Sequence, residues 1–196
     1  MDTGGSLLVT EIMLQADGGT YFQSFRLSIY PLVSRMSSAG QQLTISHLPM
    51  LYTDHAAATE TLLELIASPY PALTTTLPHP MDASHVERLY KTLLQGGHYD
   101  RSSKSITKPS SSFSPSAFAS SFLTVVGRDV IVAMAQRNCA FVAAELCRRV
   151  NTEGTDEERR LLRTWFTEKE VSRDIRVKEM KGKDVLLGSI NALLSA

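Results

Sequence analysis

Along most of this chain apolar residues recur every three or four positions, the spacing that lines one side of an α-helix. Residues 5–15 carry Leu8, Ile12 and Met13 in this way, with Ser6 as N-cap and the Asp17-Gly18-Gly19 turn as a stop. Residues 21–36 are rich in aromatic side chains and interrupted by Pro31, which predicts a helix with a kink or break there. The stretch QLTIS, between Gly40 and Pro49, has strand character, but one isolated run cannot build a sheet. Asp54 opens a helix that reaches Ser68 through Leu62, Leu63 and Ile66, and Pro69 and Pro71 close it.

Ser84 with Glu87 reads as a capping box for a helix whose broad apolar face is Val86, Leu89, Tyr90, Leu93 and Leu94, stopped by Gly96-Gly97. Residues 101–116, RSSKSITKPSSSFSPS, bring too little apolar area to offset ordering and predict a mobile surface loop, with Ser114-Pro115 as a candidate phosphorylation step. From Ser116, Phe118, Phe122 and Val125 line a helix that Gly127 ends, and Asp129 caps a short one over Val130–Ala135. After Arg137-Asn138 a single stripe of Cys139, Val142, Leu146 and Val150 faces a core. Thr155 and Glu158 form another capping box before Leu161, Leu162, Trp165 and Phe166. A charged segment runs on to Lys183, and a last helix carries Val185, Leu186, Ile190, Leu193 and Leu194. The expectation is an all-α chain forming a single helical domain over 1–196.

Three helical stretches resemble one another: SLLVTEI (Ser6–Ile12), AFVAAEL (Ala140–Leu146) and DVLLGSI (Asp184–Ile190). The last two lie one helical-repeat length apart, which predicts an α-solenoid-like array. Together with LYKTLLQGGHY (Leu89–Tyr99), FLTVVGRDVIVAMA (Phe122–Ala135) and KGKDVLLGSI (Lys181–Ile190), they make the chain resemble the C-terminal CPL region of the penguin-type, Puf-like nucleolar proteins of the Pumilio-related family. Residues 1–20, with GSLLVTEIM, look like the end of a final Puf-like repeat. The resemblance implies a nuclear, nucleolar helical scaffold that binds RNA or DNA with little sequence selectivity. It also implies a role alongside ribosome-assembly proteins in building the large ribosomal subunit.

Charge narrows the expected contact. Twenty basic and twenty acidic side chains cancel, so no long-range field draws the whole chain onto nucleic acid. The basic repeats that carry most contact in the family are not in this sequence, and weak binding through local spots is expected. In Pumilio-type repeats the start of the second helix faces the bases, which points to Arg137 and Asn138 for hydrogen bonding or stacking on a base. Arg148, Arg149 and Lys183, with Lys178 and Lys181 beside it, are candidate phosphate contacts.

Other chemistry finds little support. Gly127-Arg128-Asp129 has no phosphate loop or nucleophile elbow with it and reads as a stop glycine followed by a capping aspartate. The histidines at 47, 55, 79, 85 and 98 lack metal-site spacing and are expected at the surface. Cys139 and Cys147, about 12 Å apart on a helix, cannot pair and read as buried thiols of a reducing intracellular compartment. The N-terminus lacks the positive charge of a signal peptide, and no window approaches 18 consecutive apolar residues. No enzyme, cofactor, metal, membrane or small-molecule substrate is expected. The alternative to an RNA-associated scaffold is a protein–protein adaptor with no nucleic-acid role.

Overall fold

The computed structural model describes residues 9–11, 13, 55–70, 79–100, 102–107, 113–137 and 139–195. The kinked helix expected at 21–36 and the QLTIS stretch lie outside the described residues. Residues 9–11 and 13 are helical, with Val9 and Met13 buried.

Helix α1 (His55–Glu64) buries Leu62 and Leu63, and Ile66 follows them into the core from the turn beyond its end. A 3-10 turn (Pro80–Asp82) leads into α2 (Ser84–Gln95), which buries Val86, Leu89, Tyr90, Leu93 and Leu94 as its sequence requires. The carbonyls of a helix's last turn have no partner within the helix. Tyr90 reaches one of them, donating its hydroxyl to the carbonyl of Leu62 and so tying α2 to α1. Around Tyr90, the rings of Phe118 and Phe122 lie 6.5 and 6.1 Å away, and Phe113 lies 5.7 Å from Phe118. Offset and edge-on arrangements of this kind add to the burial of the rings themselves.

Gly96 ends α2 with φ +71°, a left-handed conformation, and Pro115 packs so close that a side chain there would meet its ring at 2.3 Å. The chain then forms a hairpin, β1 (His98–Asp100) against β2 (Ser105–Thr107), antiparallel with Tyr99 opposite Ile106. Of the stretch 101–116 expected as a loop, the described residues 102–107 form the turn and second strand of this hairpin. The Asp100 carboxylate accepts hydrogen bonds from the main-chain N–H of Ser102 at 2.9 Å and from the hydroxyls of Ser102 and Ser103, so the serines build the turn. These bonds hold the Asp100 pKa down to about 2. At the far end Phe113 is buried and Ser114 caps the next helix, accepting from the N–H of Ala117 at 3.2 Å.

That helix, α3 (Pro115–Ala135), carries the expected break at Gly127, where φ 76° and ψ 168° depart from helical values. Val126 is buried and Val125 only half so, a small shift of the expected face. Asp129 does not cap a new helix; its carboxylate pairs with Arg128 at 2.7 Å. Arg128 also pairs with Glu168. By length and composition α3 could cross a membrane, since its best 18-residue window has a mean hydropathy of 1.5. This differs from the expectation drawn from consecutive apolar residues. Half of that window is buried within the protein, where α1, α2 and α4 pack on the helix.

Helix α4 (Ala140–Glu153) lies at the centre of the described residues, contacted by α2, α3, α5 (Asp156–Thr167) and α7 (Lys183–Ser195). Its stripe of Cys139, Val142, Leu146 and Val150 is buried throughout. The Thr155–Glu158 capping box opens α5 as expected, with the Thr155 N–H donating to Glu158 at 2.7 Å. Leu162, Trp165 and Phe166 are buried, but Leu161 is exposed. The charged segment holds one helix more than expected, α6 (Lys169–Val177), which buries Val171 and Ile175. On α7, Leu186, Ile190 and Leu193 face the core, whereas Val185 and Leu194 face solvent.

Candidate nucleic-acid interface

Arg137 sits in the elbow between α3 and α4, where its N–H donates to the carbonyl of Met134 at 3.2 Å. Its guanidinium carbon lies 4.4 Å from the centre of the Tyr70 ring, a cation–π contact. Arg137 forms no ion pair among the described residues. Asn138, its expected companion, lies outside the described residues.

The surroundings of Arg137 are built from three distant segments. The Tyr70 ring stacks on His79 at 3.8 Å, and its hydroxyl donates a long 3.8 Å contact to Cys139 Sγ. Cys139 in turn donates to the carbonyl of Met81 at 3.0 Å. His79, expected at the surface, is 3% exposed and makes a capping box with Asp82 ahead of the 3-10 turn. Its Nδ1 accepts from the Met81 N–H at 3.2 Å, which leaves the proton on Nε2 to reach the Ser68 carbonyl at 3.0 Å. Burial lowers the His79 pKa, raises that of Tyr70, and pushes the Cys139 thiol up to about 12. The thiol stays protonated at neutral pH, and both nitrogens of the imidazole are engaged by main-chain groups. They form a fitted joint beneath Arg137. Cys147 is also free and buried, its pKa pushed up to about 12 by burial.

Arg148 and Arg149 are neighbours in sequence and opposite in setting. Arg148 is exposed and pairs with Glu145, donating from Nε at 3.1 Å and from Nη2 at 2.5 Å. Arg149 is buried; Nε donates to the Leu94 carbonyl and Nη2 to the Gln95 carbonyl, each at 2.9 Å, while Nη1 pairs with Glu153. It satisfies carbonyls that the end of α2 leaves without helical partners. Arg149 is therefore withdrawn from the set of cations open to a phosphate. Glu145, also buried, completes the junction by accepting from Gln95 Nε2 at 3.1 Å.

Lys183 begins α7 and is mostly covered, with Nζ 3.3 Å from Glu179. A second group of cations emerges from the fold. Arg88 and Lys91 on α2 and Lys181 before α7 all act on the half-buried Glu87 carboxyl, and Lys91 Nζ lies 5.0 Å from the centre of the Phe141 ring. Burial outweighs these charges and raises the Glu87 pKa. Ser84 makes no side-chain cap for α2, whose N-cap is Ala83, so the box expected between Ser84 and Glu87 is absent. Arg88 and Lys91, three apart on one side of α2, are the sequence signal for this group.

Among the described residues no group of three or more His, Cys, Asp or Glu side chains is placed to hold a metal. The arrangement is that of a mostly helical domain with cations around a buried polar joint. Comparison with protein-family models, curated proteins and solved structures finds no match.

Proposed function

We propose that the chain is a helical-repeat scaffold of the Puf-like nucleolar type, an RNA-associated module working in the nucleus on assembly of the large ribosomal subunit. The carrying observation is the pairing of α4 with α7. These helices contain AFVAAEL and DVLLGSI, they pack on each other, and they bury matching positions: Val142 with Leu186, and Leu146 with Ile190. A solenoid-like array stacks equivalent helices in this way.

Nucleic-acid contact on this reading is weak and blind to sequence. Arg137 and Arg148 contribute at the edge of α4, and Arg88, Lys91 and Lys181 contribute from the group around Glu87. Arg149 and Lys183 contribute little, since their side chains are largely covered. A protein–protein adaptor is the second reading, favoured by the exposed Val177, Val185 and Leu194 on α6 and α7. Affinity copurification from cells separates the two. Recovery of pre-ribosomal RNA with assembly proteins supports the scaffold, recovery of proteins alone supports the adaptor, and recovery of neither ends the ribosomal assignment.

A further inference from the structure

We propose that His79 is a pH-sensitive latch, holding the end of α1 to the start of α2 in its neutral form and releasing the joint when its ring takes a second proton. Both ring nitrogens are committed. Nε2 donates to Ser68, just beyond α1, and Nδ1 accepts from the Met81 N–H in the 3-10 turn that leads into α2. A proton on Nδ1 places N–H against N–H at 3.2 Å, where an attractive contact becomes repulsive.

The ring is 3% exposed, so it cannot turn to water without leaving its place. The titratable and charged groups facing it are Asp82 from the 3-10 turn, Arg137 from the α3–α4 elbow, Tyr70 stacked on it, and Cys139 through Tyr70. Asp82 favours the second proton. Burial, the largest influence, and Arg137 oppose it. The ring therefore stays neutral in the closed joint and gains its proton as the joint opens. Opening removes His79 from Tyr70 and the Met81 carbonyl from Cys139, so the thiol reports the event. Cys147, within α4, is buried away from the latch and stays protected.

The test follows both thiols with 4,4′-dithiodipyridine between pH 7.5 and 5, locating the label by peptide mapping. Each rate is normalised to that of the denatured chain, because thiolate chemistry alone slows as pH falls. The expected result is a several-fold loss of Cys139 protection on acidification with Cys147 unchanged. His79→Asn, whose amide oxygen can accept from Met81 without titrating, is expected to abolish that dependence. Constant Cys139 protection, loss of both thiols together, or an equal loss in the asparagine variant overturns the latch. If that variant does not fold, nitrogen NMR of the wild-type ring decides. The latch needs an unprotonated Nδ1 and a protonated Nε2 at pH 7, and a ring with the proton on Nδ1 overturns it.

Discussion

Arg149 holds Leu94 by its main-chain carbonyl, across 55 residues of sequence, at 2.9 Å. A charged side chain thereby finishes another helix, supplying donors where α2 runs out of its own. Arg149→Ala would leave the carbonyls of Leu94 and Gln95 without their donor, and a cost of about 2–6 kcal/mol is expected, as for two buried acceptors left unsatisfied. Arg148→Ala removes one partner of the buried Glu145, which keeps its bond from Gln95, and is expected to cost less, about 1–2 kcal/mol. Urea unfolding of the two variants checks the contrast, and equal losses would remove the capping role.

Leu146 is 1% exposed on the buried stripe of α4, while Leu161 on α5 is 41% exposed. Leu146→Ala is expected to lower stability by about 2–5 kcal/mol. Leu161→Ala is expected to stay within about 0.5 kcal/mol of the parent. Thermal melts of both distinguish a core position from an apolar residue that merely sits on the surface.

Gly127 has open space around it, with nothing within 4 Å of where a side chain would begin. Its φ of 76° still penalises any other residue. Gly127→Ala is expected to cost about 1–3 kcal/mol from the backbone alone. A variant as stable as the parent would mean that α3 straightens at no expense.

Glu87 titrates above its usual value because it is half-buried, so the folded chain holds its proton more tightly than the unfolded chain does. Its contribution to stability is present below the unfolded pKa and is lost as pH rises through the folded value. At neutral pH the charged form is a burden. Glu87→Gln is expected to raise the melting temperature at pH 7, with the gain shrinking as the pH falls through the raised folded value and gone below the unfolded value of about 4.5. A gain independent of pH would assign the effect to something other than charge.

For nucleic acid, each phosphate neutralised on a single strand contributes about 0.7 to the log–log salt slope. Two contacts from Arg137 and Arg148 give a slope of about 1.4, and addition of Arg88, Lys91 and Lys181 gives about 3.5. Titration of a labelled RNA at two salt concentrations is expected to fall within that span. Arg137→Glu with Arg148→Glu should reduce the slope, and a much steeper dependence in the parent would point to cations other than these.

Helices with a broad apolar face were readable because their burial is set by spacing within the element: Val86, Leu89 and Leu93 on α2, and Val142 and Leu146 on α4. Helix α6 was hidden by having only Val171 and Ile175 to bury among many charges. The cap before α2 was misplaced because Ser84 and Glu87 have the customary chemistry, whereas the pair used, His79 and Asp82, begins with a residue outside the usual N-cap set. Arg148 and Arg149 project about 100° apart on a helix, so one faces outward if the other faces in. Which one does so depends on where α2 ends against α4, and no local pattern carries that. The cations around Glu87 are gathered from α2 and from the turn before α7, a grouping that only the packing creates.

The central place of α4 has a kinetic consequence. Its neighbours come from both directions along the chain, α2 and α3 before it and α5 and α7 after it. Neither side can complete a core until α4 is formed, and α4 alone has too few partners to persist as a 14-residue helix in water. Formation of α4 and its docking against helices on both sides therefore belong to one nucleus, and its mid-helix amides should exchange with solvent only when the whole domain opens.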